Sequence, residues 1–194
     1  MQQDKDRQIR AVYDDKTITV YQAYNKAIAE SAVKHQTFVS PPFNMDRMTW
    51  IKPSFLWMMY RSGWATKPDQ EHILAVKITR EGFDWALQNA CLSHFDPQVH
   101  ELHETWAAQL QNAPVRIQWD PERDIQMNKL DYRAIQIGLS GLAVQMYVKE
   151  WMVEIEDITD KVIQIKKHIN QQDTSATDLI LPDEKIYHPT NRAS

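Results

Sequence analysis

Glycine is scarce in this chain of 194 residues, occurring only at Gly63, Gly82, Gly138 and Gly141. Loops that cradle phosphate with backbone amides need closely spaced glycines, so a P-loop and a Rossmann fingerprint are both excluded. Cysteine is scarcer still. Cys91 stands alone, which rules out an intramolecular disulfide, leaves the fold dependent on packing and fits a reducing compartment, the cytosol. Long apolar runs are missing as well: no stretch approaches the roughly 20 residues that cross a bilayer. The polar start Met1-Gln2-Gln3-Asp4-Lys5-Asp6-Arg7 has no apolar run behind it, so neither a secretory signal nor a membrane partner is expected. The net charge of −4 is too small for bulk attraction to nucleic acid, and an anionic partner must be held by a local patch.

What is present suits one soluble globular core. Hydrophobic residues make up 43% of the chain, enough at this length to bury about two thirds of the unfolded surface in a single domain. Seven tryptophans are more than packing alone usually calls for. There is no repeat of solenoid period and no low-complexity segment.

Period-2 alternation over Gln8 to Tyr13 and Thr17 to Ala23, with Asp14-Asp15-Lys16 between them, predicts an N-terminal hairpin. Asn25 is positioned to cap a helix running to about His35. Arg47 to Trp50 reads as extended. A helix from Pro53 to Ser62 follows, closed by Gly63, and its core Phe55-Leu56-Trp57-Met58-Met59-Tyr60 leaves almost no polar face. Ile73 to Thr79 predicts a central strand, and Phe83, Leu87, Ala90 and Cys91 recur at helical spacing. A further helix is predicted over Pro97 to Gln111, then a strand over Val115 to Trp119 ended by a turn at Asp120-Pro121. Arg133 to Leu139 and Met152 to Ile158 read as strands, Gly141 to Lys149 as a short helix, and Asp160 as the cap of a helix carrying Val162, Ile165 and Ile169. Strands and helices mixed without a βαβ series predict an α+β fold, a mixed or antiparallel twisted sheet, whole or split, packed with several helices. Residues 1–169 form the expected domain and 170–194 a polar, loosely ordered tail, in which Leu179-Ile180-Leu181 can dock.

The most site-like stretch is Arg47 to Lys67. It holds Arg47, Lys52, Arg61 and Lys67 and no Asp or Glu, interleaved with Trp50, Phe55, Trp57, Tyr60 and Trp64. Cations suit phosphate and flat rings suit a base. The same pattern also describes a buried helix whose flanking cations reach solvent. Arg47 and Lys52 are the stronger candidates, because they flank the strand-to-helix junction where helix amides also favour an anion. Lys67 reads as solvated. Arg10, with Tyr21, Gln22 and Tyr24 following, is either a second cation beside rings or a surface hairpin. Trp119-Asp120-Pro121-Glu122-Arg123-Asp124 puts three carboxylates at a strand end, as a catalytic acid would need or as a solvated turn. His100-Glu101-Leu102-His103 has imidazoles three residues apart, not the four of a zinc-protease helix, and reads as a solvated face. Cys91, on an apolar stripe without a base, reads as core. Ile137-Gly138-Leu139-Ser140-Gly141 lacks the offsets of a nucleophile elbow.

With Arg7 to Ala11, Thr17 to Tyr24, Arg47 to Met58, Arg61 to Trp64 and Val115 to Arg123 in view, the chain resembles the family called domain of unknown function 4291, up to about Asp160. That family carries no established activity. A more distant likeness, in element order alone, is to ADP-ribosyltransferase-type folds, which place NAD across a split sheet. It implies a transferase with NAD or another nucleotide as cofactor, although Gln136 stands where a glutamate would be wanted. The ligand-binding candidates are Arg10, Tyr21, Arg47, Trp50, Lys52 and Arg61, with Trp50 or Tyr21 packing a base. The rival expectation is a non-enzymatic module that uses the same groups to contact nucleic acid or protein.

Overall fold

Alternating β-branched and apolar residues build two main sheets in the computed structural model, which describes residues 6–173 and 180–190. Thr17–Tyr24 (β2) and Met152–Asp157 (β8) flank His72–Thr79 (β4), both antiparallel to it. The central position of β4 follows from its composition, since Ile73, Leu74, Val76 and Ile78 are all buried. The second sheet runs Thr49–Ile51 (β3), Lys129–Leu139 (β7), Val115–Arg123 (β6) and Ala90–Leu92 (β5). Its strands are antiparallel except β5 and β6, which are parallel. The two sheets meet at one bridge, where Tyr21 N–H donates to the Lys52 carbonyl at 2.7 Å and Lys52 N–H to the Tyr21 carbonyl at 3.3 Å. The architecture is a single α+β domain with a mixed sheet system divided in this way.

Helix Lys26–His35 (α1) is capped as expected, the Asn25 side chain accepting from Ile28 N–H. Phe55–Ser62 (α2) begins two residues later than the expected start at Pro53. Ser54 is the cap, accepting from Trp57 N–H at 3.2 Å, and Gly63 closes the helix at φ 61°. Phe55, Trp57, Met58 and Met59 of α2 are buried, and side chains of this class contribute about 1.5–3 kcal/mol each when fully enclosed. Arg80–Gln88 (α3), His103–Asn112 (α4), Leu142–Met146 (α5) and Thr159–Asn170 (α6) complete the helices, α5 running into a π-helical turn at Tyr147–Trp151.

Several expectations are corrected. The hairpin is kept from its turn, where the Asp14 carboxylate accepts from Lys16 and Thr17 N–H, as far as Val12, whose carbonyl accepts from Thr19 N–H at 2.9 Å beside the antiparallel bridge of Tyr13 with Ile18. Arg10–Ala11 (β1) instead pairs with Lys185–Ile186 (β9). The turn at Asp120-Pro121 is absent: β6 continues to Arg123 through a bulge, and proline is tolerated because β5 pairs β6 only over residues 115–117. The helix expected from Pro97 starts at His103, and Cys91, buried as expected, lies on β5 rather than on a helix. Over residues 180–190 the tail is not loose. Tyr187 is buried, donating to the Asp84 carboxylate at 2.6 Å, and Ile180 and Leu181 pack on the cluster of Phe55, Met58, Met59 and Val162. Leu179 lies outside the described residues. No helix among those described is long and apolar enough to cross a membrane.

Candidate functional site

A cavity of about 580 Å³ opens between the end of β2, the loop before β3, and α2, and Arg47, Trp50, Lys52 and Arg61 all line it. Its size falls in the range of small-molecule sites. Arg47 and Arg61 are exposed, and neither makes an ion pair within 4 Å among the described residues. Asp69 is the acidic residue of the lining. Lys67 stays outside it, its ammonium bonded to the Arg61 carbonyl at the end of α2 at 2.8 Å.

Lys52 is the unusual member. Only 6% of it is exposed, its Nζ donates to the Trp50 carbonyl at 3.1 Å, and Nζ lies 5.8 Å from the centre of the Trp57 ring. Burial, and then the Arg61 charge, push its pKa down to about 7, with Asp120 opposing. Asp120 is held by two amides, Gln118 Nε2 donating to one oxygen at 3.0 Å and Gln136 Nε2 to the other at 2.7 Å. All of these groups share one face of the second sheet. Trp50, Gly138 and Arg116 are cross-strand partners, as are Gln136 and Gln118, and cross-strand partners project to the same side. Ile51, Val115, Ile137 and Leu139, one residue out of step, fill the core.

Trp50 owes its position to Gly138. A Cβ built there would come within 3.0 Å of two indole carbons of Trp50 and 2.8 Å of the Met48 sulfur, so the indole rests directly on bare backbone. The neighbouring wall is fixed by a buried polar network. Gln22 Nε2 donates to Thr49 Oγ1 at 2.7 Å and Tyr24 Oη at 2.9 Å, while its Oε1 accepts from Tyr147 Oη at 2.6 Å. With both ends of the amide engaged, Gln22 is scaffold. Burial raises the Tyr24 phenol to about 12 against the opposing hydrogen bond from Thr49 and the Arg47 charge.

Two of the candidates lie elsewhere. Tyr21 packs edge-on against Phe55 with centroids 5.5 Å apart and lines a separate cavity of about 360 Å³. Arg10 is carried by β1 toward the C-terminal strand, its guanidinium 6.0 Å from the Tyr132 ring centre and its Nη2 3.5 Å from the Glu184 carbonyl. There its charge opposes the upward pull of burial on two carboxylates, Glu122 and Glu184, outside the large cavity. The helix terminus is occupied. Glu184 Oε1 accepts from Phe55 N–H at 2.7 Å, taking the place expected for an external anion. The sequence reading missed Asp120, Glu122 and Glu184. The first two lie in the acidic run, which reads either as a catalytic strand end or as a solvated turn and supplied no ligand-binding candidate, and the third lies in the stretch read as a loose tail. His100 and His103 pack with Phe95 and Trp106.

Of the segments that resemble the family, β2 and the run from β3 through α2 line this cavity. No curated protein matches the sequence. The family model described as Domain of unknown function (DUF4291) matches residues 8–187, which takes in every element from β1 to β9, and the chain therefore belongs to that family.

Proposed function

We propose that the cavity beside β3 binds a phosphate-bearing ligand, a nucleotide or NAD, and that the protein is an enzyme acting on it. One observation carries this reading: Arg47, Lys52 and Arg61 converge on one cavity with the Trp50 ring, and neither guanidinium is paired within the protein among the described residues. Unpaired guanidinium groups suit the oxygens of a phosphate, and an indole backed by Gly138 offers its free face to a base. An anion entering beside Lys52 favours its charged form, so binding takes up a proton above neutral pH.

A thermal-shift screen with NAD, ATP, GTP, ADP-ribose and a short RNA tests this. A ligand at about 100 times its Kd stabilises by about 2.7 kcal/mol, which for a domain of this size raises Tm by roughly 5–10 °C. The shift is expected to vanish in Lys52→Ala. No shift with any nucleotide at millimolar concentration overturns the reading. A shift with RNA alone, steeply lost on adding salt, favours the nucleic-acid module instead.

A further inference from the structure

A lysine held under a cavity can serve as a fixed charge or as an amine, and its neighbours decide which. Lys52 is buried, and no carboxylate oxygen among the described residues lies within 4 Å of its Nζ. Asp120, the carboxylate whose charge does reach it, has both oxygens engaged by Gln118 and Gln136. Arg61 brings a second positive charge to the same cavity. Desolvation and an adjacent cation are the two conditions that free a lysine amine for nucleophilic attack. The hydrogen bond to the Trp50 carbonyl uses one N–H, so in the neutral amine the lone pair is left unengaged.

We propose that Lys52 is the nucleophile of this cavity and forms an imine with the carbonyl carbon of a phosphate-bearing aldehyde or ketone. The proposal rests on the phosphate-binding reading above for its substrate class. The Nζ lone pair attacks the carbonyl carbon, forming the C–N bond while the C=O π pair moves to oxygen. A proton passes from nitrogen to that oxygen, giving the carbinolamine. The nitrogen lone pair then forms C=N as the hydroxyl leaves with a proton as water, so that amine and carbonyl become imine and water with no change of oxidation state. Arg47 and Arg61 hold the phosphate at the mouth, and Lys52 at the floor meets the carbonyl. With its pKa near 7, roughly half of Lys52 is free amine at neutral pH, against well under one part in a thousand for a solvated lysine.

The test uses the full chain with pyridoxal 5′-phosphate as probe and cyanoborohydride to reduce any imine to a stable secondary amine, followed by peptide mapping. At pH 7 the adduct is expected on Lys52 at least about tenfold faster than on exposed lysines such as Lys26 or Lys129, and about tenfold slower with pyridoxal, which lacks the phosphate. Lys52→Arg is expected to lose the adduct while keeping the cation. Wild-type mapping alone suffices if that variant does not fold. Quenching of tryptophan fluorescence reads binding independently of the chemistry. Binding with no adduct on Lys52 overturns the imine and leaves the phosphate site standing, while neither binding nor adduct overturns both. Equal rates with and without phosphate overturn the substrate class.

Discussion

Tyr21 and Lys52 exchange both backbone hydrogen bonds across the junction of the two sheets, yet their side chains line different cavities. Tyr21 meets Phe55 at the start of α2, whereas Lys52 shares its cavity with Met58 and Arg61 further along the helix. The junction thus fixes the height of Lys52 in the cavity by main-chain bonds that no side-chain substitution removes directly.

The burial of Lys52 should be visible in stability against pH. Its folded pKa, near 7, is below the ordinary 10.5, so the unfolded state binds more protons between those values and stability rises with pH from about 7 to about 10.5. Lys52→Met removes the buried amine at similar volume. It is expected to stabilise the protein by about 1–4 kcal/mol at pH 6, and by little at pH 10, while abolishing ligand binding. Urea denaturation at the two pH values measures this, and equal effects at both would show that Lys52 is not buried as a poor base.

Glu184 acts with the opposite sign. Burial first, and then the charge of Glu122, raise its pKa from 4.5 to about 8, against the hydrogen bond from Phe55 N–H and the Arg10 charge. The native state therefore holds a proton that the unfolded state has lost, and this group's contribution falls as pH rises from about 4.5 through about 8. Glu184→Gln keeps an acceptor for Phe55 N–H and removes the titration. The variant should lose less Tm than wild type between pH 5 and pH 8.5, and parallel curves would refute the assignment.

Gly138→Val tests the platform under Trp50. The new side chain must displace the indole and the Met48 sulfur, and such overpacking costs about 1–3 kcal/mol. The expected result is a Tm lower by roughly 2–12 °C, a changed near-ultraviolet signal from Trp50 and at least tenfold weaker nucleotide binding. Unchanged binding in the folded variant would remove Trp50 from the site.

The C-terminal segment is tied down through Asp84, which accepts from Tyr187 Oη at 2.6 Å, from Thr190 N–H at 2.9 Å and from the Thr190 hydroxyl. Arg80 lies against both Tyr13 and Tyr187, 5.2 and 5.0 Å from their ring centres. Tyr187→Phe keeps the packing and deletes one donor to a buried carboxylate, for an expected loss of about 1–3 kcal/mol. A chemical-denaturation midpoint equal to wild type would show that Asp84 is satisfied without it.

Local chemistry was legible in the sequence. The cap at Asn25, the left-handed stop at Gly63, the buried character of α2 and the central place of β4 each follow from residues within one helical turn or one strand. So did the grouping of Arg47, Trp50, Lys52 and Arg61, because a short strand followed directly by a helix keeps residues close in sequence close in space. The tertiary structure alone decided what depends on partners far along the chain. The pairing of β1 with β9 carries Arg10 to the Glu184 carbonyl, 174 residues away, and thereby takes a candidate ligand-binding cation out of the cavity. The register of β6 on β7 brings Gln136 to Asp120, which Gln118 already holds from two residues away on the same strand, making a fixed carboxylate in a run that reads locally as either a catalytic strand end or a solvated turn. Alternation along a strand says which side chains share a face, but only the register says which distant residue stands opposite, and the electrostatics of Lys52 depend on that second fact.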